Sequence, residues 1–390
     1  MLNKYFGSSV KYVALVAIFA VVVYLLGSRH QHMKIGKIQI LIIGWAFLEA
    51  ISFLWTIDSG YIQARLITYM TMALLTLVCS VFPIDRKTFE GAVFFYSAGC
   101  AILAVMILTM GKMDGGVNSA GRITIEVMGS YQDPNGLAAS LMTGVFFTLF
   151  KATEKTKITP FSNIIYAVLF VVISSAIFMT GSRGALVAYA VSLVAYIFIR
   201  GNNKTRIACV ILIPAVLFFG YFILEAFLPE RLFERLFTLE ETDGGSRIDH
   251  WVMAMQKIAE RPFLGNGIAG YFGYFKEQIG HEIAMHNTFV AVLFEVGAVG
   301  LSAFLALFLI PFRRALKNRH GMIIAVVLSN MIAAFFLDAL HQRYLWNAMM
   351  FGLMYYNALS FDPREQDIIN AKEQEKNDTR KVKTSSKRPA

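Results

Sequence analysis

Three short stretches of this 390-residue chain carry side chains able to act on an anionic substrate. The first is Met179-Thr180-Gly181-Ser182-Arg183-Gly184-Ala185, an arginine set between two apolar blocks. A charge at a membrane edge is costly unless it is paired, and the flanking glycines allow a bulky anion close to the backbone. The second is Gly244-Gly245-Ser246-Arg247-Ile248-Asp249. Ser246 and Asp249 form a capping-box-like start, and Ile248, Trp251, Met255, Ile258 and Ala259 recur at helical spacing until Pro262, so an amphipathic helix of about fourteen residues is expected. Its free N–H groups and dipole favour an anion, and Arg247 adds a bidentate donor. The third is Met285-His286-Asn287-Thr288, at the start of a helix, where an imidazole can act as a general base near neutral pH. Taken singly, each has a plainer reading: a snorkelling arginine, a solvated first-turn arginine, an interfacial histidine. Together, two arginines, a helix start and a histidine describe a site for a doubly charged leaving group plus a base. That is phosphate or pyrophosphate chemistry, with no cofactor and no metal expected.

Other stretches are read as supporting or structural. Gln132-Asp133-Pro134-Asn135-Gly136 marks a turn and helix start. Glu295 follows His286 by about two and a half turns, on the opposite face of a straight helix, so it is expected in a buried polar network and not in contact with His286. Gly265-Asn266-Gly267-Ile268-Ala269-Gly270 has the dinucleotide-fingerprint spacing but follows a helix ended by proline, and it is read as a glycine-rich turn. His281-Glu282-Ile283-Ala284-Met285-His286 misses the zinc motif because position 285 is methionine. Cys79, Cys100 and Cys209 fall inside apolar blocks without metal-ligand spacing and are read as packing residues.

The elements that must position these residues are membrane helices. Hydrophobic residues make up 56% of the chain and charged residues only 16%, too few to coat a water-facing surface, since soluble chains carry about 25%. Apolar blocks near 11–27, 38–54, 66–82, 89–110, 135–150, 161–180, 184–199, 207–226, 287–312, 321–337 and 344–360 give eleven candidate spans. The net charge of +10 collects at one set of span ends and in the tail, which the positive-inside rule places in the cytoplasm; nucleic acid is excluded as a partner. The N-terminus then faces out. The expected organisation is an N-terminal bundle over 1–226, an extracytoplasmic loop over 227–286, C-terminal membrane helices over 287–360, and a charged, disordered tail over 361–390. The fold class is all-α: a polytopic transmembrane bundle with one long, partly helical external loop.

Asp133-Pro134-Asn135-Gly136, Thr180-Gly181-Ser182-Arg183-Gly184, Ser246-Arg247, Pro262-Phe263-Leu264-Gly265-x-Gly267, and His286-Asn287 with Glu295-Val296-Gly297 occur in this order. The ordered set resembles the O-antigen ligase and polymerase superfamily from about residue 130 to 312, and Leu54-Trp55-Thr56-Ile57-Asp58 is similar to the family's early part. The resemblance implies a bacterial inner-membrane glycosyltransferase using an undecaprenyl-pyrophosphate-linked glycan as donor and a glycan or lipid hydroxyl as acceptor. Arg183 and Arg247 would bind the pyrophosphate and His286 would activate the acceptor, with Asp133, Asn135, Asn287 and Glu295 in support. Family members typically have twelve helices, and eleven spans are counted here, which leaves the N-terminal topology open. A ligase is the first expectation and a polymerase of lipid-linked repeat units the second. A lipid-linked sugar transporter fits less well, because central charges are few (Glu49 and Glu295) and no internal repeat is visible.

Overall fold

The computed structural model describes residues 36–57, 59–81, 84–113, 122–127, 130–154, 160–209 and 244–360 in continuous stretches. The expected spans at 11–27 and, for all but its first turn, 207–226 lie outside the described residues, as does the tail. The other nine spans are all helices. They are α1 (Lys37–Ile51), α2 (Ile62–Val81), α3 (Arg86–Met110), α4 (Pro134–Thr153), α5 (Pro160–Met179) and α6 (Arg183–Arg200), then α9 (Thr288–Lys317), α10 (Gly321–Phe336) and α11 (Arg343–Ser360). Among the described residues, seven helices are long and apolar enough to cross a membrane. The protein is an all-α polytopic bundle.

Burial sorts the helix faces as a lipid environment requires. Ile40 and Phe47 on α1, Phe95 and Ile102 on α3, and Ile164 and Val171 on α5 point outward, where hydrocarbon would cover them. Inside, Trp45 meets Trp346 edge-on with ring centres 5.2 Å apart, joining α1 to α11. The most extensive helix pairs are α6 with α10 and α4 with α5.

Two regions depart from plain spans. The segment before α4 holds two minimal antiparallel hairpins, Lys112–Met113 with Ile123–Thr124 and Glu126–Val127 with Ser130–Tyr131; nothing in the spacing signalled them. The long loop that precedes α9 contains α7 (Gly244–Glu260) and α8 (Gly270–Ile279). The amphipathic helix is thus present but begins three residues earlier than expected, so Ser246 lies in its first turn and not at its cap.

Between α7 and α8, the glycine-rich turn docks into a break in a membrane helix. α9 is interrupted at Gly297, whose φ of 64° is left-handed. Its broken ladder is completed by the loop: Asn266 N–H donates to the Phe294 carbonyl at 2.7 Å, Gly267 N–H to the Glu295 carbonyl at 2.9 Å, and Ala298 N–H to the Pro262 carbonyl at 2.8 Å. Non-helical backbone at membrane depth survives only when its polar groups are met in this way. Backbones this close leave no room for side chains. A Cβ on Gly265 would lie 2.5 Å from the Glu295 carbonyl oxygen, and one on Gly297 would lie 2.3 Å from the Phe263 carbonyl. From the other side, Ile268 N–H donates to Ser52 Oγ at 2.9 Å and Thr56 Oγ1 donates to the Ile268 carbonyl at 2.7 Å. The fingerprint-like glycines are therefore a structural plug, as the sequence context implied.

Candidate functional site

At one end of the bundle the starts of α4, α6 and α7 meet the end of α10 around a cavity of about 400 Å³. Asp133 caps α4, accepting hydrogen bonds from the backbone N–H groups of Asn135 (3.2 Å) and Gly136 (3.1 Å). Pro134 occupies the first helical position, where its missing N–H costs nothing. Asn135 Oδ1 then accepts from Ser182 Oγ at 2.8 Å, tying the start of α4 to the residue before Arg183. Gly181, at φ 63°, makes the turn between α5 and α6. Gly184 lines the cavity and also makes room for Phe336, since a Cβ there would lie 2.8 Å from that ring.

Arg183 and Arg247, far apart in sequence, both line this cavity, and Asn135 and Ser182 line it with them. A third arginine, Arg122, joins them from just before the second strand of the first hairpin. Sequence reasoning missed it because it stands singly in a polar stretch with no motif around it. No carboxylate lines the cavity among the described residues. Trp251, Phe335 and Phe336 supply its apolar wall. Through Val187, Phe335 and Phe336 the cavity adjoins a second, apolar groove of about 390 Å³ reaching Val191, Phe289 and Met331. Three guanidinium groups beside an apolar trough suit a ligand with a multiply charged head and a hydrocarbon tail.

His286 sits at the adjoining start of α9, half-buried, in the left-handed conformation at φ 52°. Such a conformation is strained for a side-chain-bearing residue and collects at functional sites. Trp251 Nε1–H donates to the Met285 carbonyl at 2.8 Å, linking the cavity wall to the residue before His286. Burial lowers the imidazole's pKa from its usual value, and the Arg247 charge lowers it further against the opposing pull of Asp338 and Asp133. Both effects favour the neutral ring, the state a proton acceptor needs.

The other two expected supporting residues, Asn287 and Glu295, lie away from the cavity lining. Asn287 caps α9, its Oδ1 accepting from the N–H groups of Phe289 (3.0 Å) and Val290 (3.2 Å). Glu295 does not line the arginine cavity; fully buried, it accepts from Ala269 N–H at 2.8 Å and helps hold the docked turn. The network expected of it continues to an ion pair that the sequence did not single out. Arg65 on α2 donates to Asp338 at 3.2 Å, and Tyr271 on α8 donates to the same oxygen. Burial would raise the Asp338 pKa, but His341, Arg65 and Tyr271 outweigh it and hold the carboxyl well below the usual range. Beside Asp338, Thr288 Oγ1 donates to the Leu337 carbonyl at 2.7 Å and accepts from Ala339 N–H at 2.8 Å. The Asp338 loop is thereby pinned to the helix that His286 begins.

Residues 168–305 match the family described as O-antigen ligase, a stretch that takes in Arg183, Arg247, His286 and Glu295. The resemblance read from the ordered motifs is borne out. The chain is a multi-pass membrane protein. Its residues 168–305 are similar to O-antigen ligases. A chain solved in a study of the structural coordination of polymerization and crosslinking by a peptidoglycan synthase complex aligns with 83% of this chain and 96% of its own length. Its TM-score is 0.50 at 15% identity, a likeness of fold alone. Comparison with curated protein sequences gives no match.

Proposed function

We propose that the protein transfers a glycan from undecaprenyl pyrophosphate to an acceptor hydroxyl at the outer face of the bacterial inner membrane, in lipopolysaccharide or other surface-polysaccharide synthesis. The observation that carries this reading is the three-arginine cavity adjoining an apolar groove. The cavity suits the pyrophosphate and the groove the isoprenoid beside it. Arg122, Arg183 and Arg247 stabilise the charge that develops on the leaving pyrophosphate, commonly the largest single term in such catalysis. His286 takes the acceptor hydroxyl proton as the new C1–O bond forms and the bond from C1 to the pyrophosphate oxygen breaks. Attack opposite the leaving group inverts the anomeric carbon. The arginines supply the charge that a metal would otherwise bring, so transfer continues in chelator.

The test is reconstitution of the purified protein with a lipid-linked donor and two acceptors offered separately, a core-lipid hydroxyl and a second lipid-linked repeat unit. Transfer to the core lipid supports the ligase, and chain growth on the repeat unit supports a polymerase with the same donor site. Transfer to neither, with donor still bound, sinks the glycosyltransferase reading.

A further inference from the structure

The opposite end of the same helices holds a second cavity, of about 300 Å³, that the transfer reaction does not use. α4 and α6 begin at the arginine cavity and end here with Lys151 and Arg200, while α10, which ends at the arginine cavity, starts here after His320. Lysine and arginine are gathered at this end, the side assigned to the cytoplasm by the positive-inside rule.

The cavity is built in layers. Phe150 and Tyr355 form an apolar floor against which the His320 ring packs, with ring centres 5.3 and 4.3 Å away. Arg200 lies over the Phe150 ring at 5.1 Å, and Gly321 makes room for it, since a Cβ there would come within 2.5 Å of the Arg200 side chain. Arg86 is paired with Glu90 at 3.0 Å and Lys151 with Glu154 at 2.8 Å. Among the described residues no carboxylate is paired with Arg200, so one guanidinium charge remains over. His320 Nδ1 is sealed from solvent and has no hydrogen-bond partner on another residue. The N-terminus of α10 lacks a side-chain cap, so its first N–H groups and dipole also face this corner.

We propose that this cavity binds an anionic phosphate group, that of an acidic membrane lipid headgroup, between Arg200, His320 and the first turn of α10. A guanidinium with no carboxylate of its own, an imidazole nitrogen that meets only its own backbone and an uncapped helix start together favour an anionic or accepting partner. The aromatic floor places that partner at the polar–apolar boundary, where a headgroup phosphate sits. Basic pockets between membrane helices on the cytoplasmic side recognise acidic headgroups in this way. Burial, followed by the Arg200 charge, pushes the His320 pKa down to about 4, so the neutral ring acts as an N–H donor to phosphate without carrying charge itself.

The test uses the full chain in detergent, titrated with phosphatidylglycerol, phosphatidylcholine or inorganic phosphate and read by native mass spectrometry. Phosphatidylglycerol should be retained over phosphatidylcholine. Arg200→Gln and His320→Gln should each weaken that retention about tenfold, the worth of a charge-assisted hydrogen bond, whereas Arg183→Gln at the other end should not. Displacement of the lipid by millimolar phosphate would show that the phosphate is the group recognised. Binding of phosphate alone, with no lipid retained, would assign the site to a soluble phosphate and overturn the lipid headgroup. Equal retention of both lipids, or undiminished retention in both variants, would overturn the proposal. His320→Gln keeps the test open should Arg200→Gln fail to fold, as judged by its melting curve.

Discussion

Trp251 donates its indole N–H to the Met285 carbonyl across 2.8 Å, so one ring both walls the arginine cavity and holds the backbone beside His286. Arg247 lies one helical turn before Trp251 on the same face of α7. This hydrogen bond therefore helps set the separation between anion clamp and base, alongside the docking of the Pro262–Gly267 turn onto α9. Trp251→Phe keeps the apolar wall but deletes the donor. It should cost about 1 kcal/mol of stability and lower kcat while leaving donor KM nearly unchanged. Steady-state kinetics on a lipid-linked donor, with a melting curve, checks both, and an unchanged kcat would detach the tryptophan from the positioning of His286.

Each arginine of the cavity should show the loss expected of a planar two-pronged donor. Arg183→Lys and Arg247→Lys keep the charge and lose the fork, so both should impair transfer strongly. Arg122→Gln tests the member that only the structure reveals. Removing a hydrogen bond to a charged group costs about 1.5–3 kcal/mol, which predicts a fall in kcat/KM of roughly 10- to 150-fold. Full activity in both lysine variants at normal expression would argue against a pyrophosphate clamp.

For His286 the expected loss is about 10²–10⁴-fold in transfer on substitution by alanine, with donor binding retained. Alanine variants of His250, His281 and His341 serve as comparisons. The pH dependence follows from the lowered pKa. Burial and Arg247 disfavour the imidazolium, so the acid limb of kcat/KM should fall below the free-imidazole value of about 6.5. Removing the positive charge in Arg247→Gln should move that limb upward in whatever activity remains. A limb at or above 6.5 in the unaltered protein would contradict the enclosure of the ring.

Much of the architecture could be read in advance because apolar block length is a strong signal: the nine expected spans within the described residues all became helices. Arg183, Arg247 and His286 could be found because each opens a helix beside glycine or a capping residue. Arg122 could not, since one charge in a polar stretch has no periodicity to mark it. Asp338 was hidden for another reason. Its partners, Arg65 and Tyr271, lie hundreds and tens of residues away, and only helix packing brings them together. The packing of Phe336 against Gly184 was not legible either, because sequence spacing does not show which neighbour fills the space beside a glycine.

Asp338→Asn removes the charge that pairs with the buried guanidinium of Arg65. Breaking one side of a buried ion pair typically costs about 3–5 kcal/mol, so this variant should melt markedly lower in detergent. In the unaltered protein the Asp338 pKa is depressed in the folded state. Its stabilising share is therefore fully present above the unfolded-state value of about 3.9 and is lost only as pH falls below that. Arg65→Met with Asp338→Leu, which removes both charges, should recover part of the lost melting temperature. No recovery would mean that the pair does more than neutralise itself.

The docking of Pro262–Gly267 into the break in α9 bears on how this protein can be recombined. A loop held only at its two ends could be exchanged between relatives like a cassette to change acceptor preference. Here four main-chain hydrogen bonds cross between loop and membrane helix, and Ser52 and Thr56 clasp the turn from a third element. A chimera joined between His286 and Asn287 would carry the turn from one parent and its socket from the other. Only an exchange that moves residues 262–270 together with the stretch around Gly297 and the Ser52–Thr56 corner keeps the fit intact.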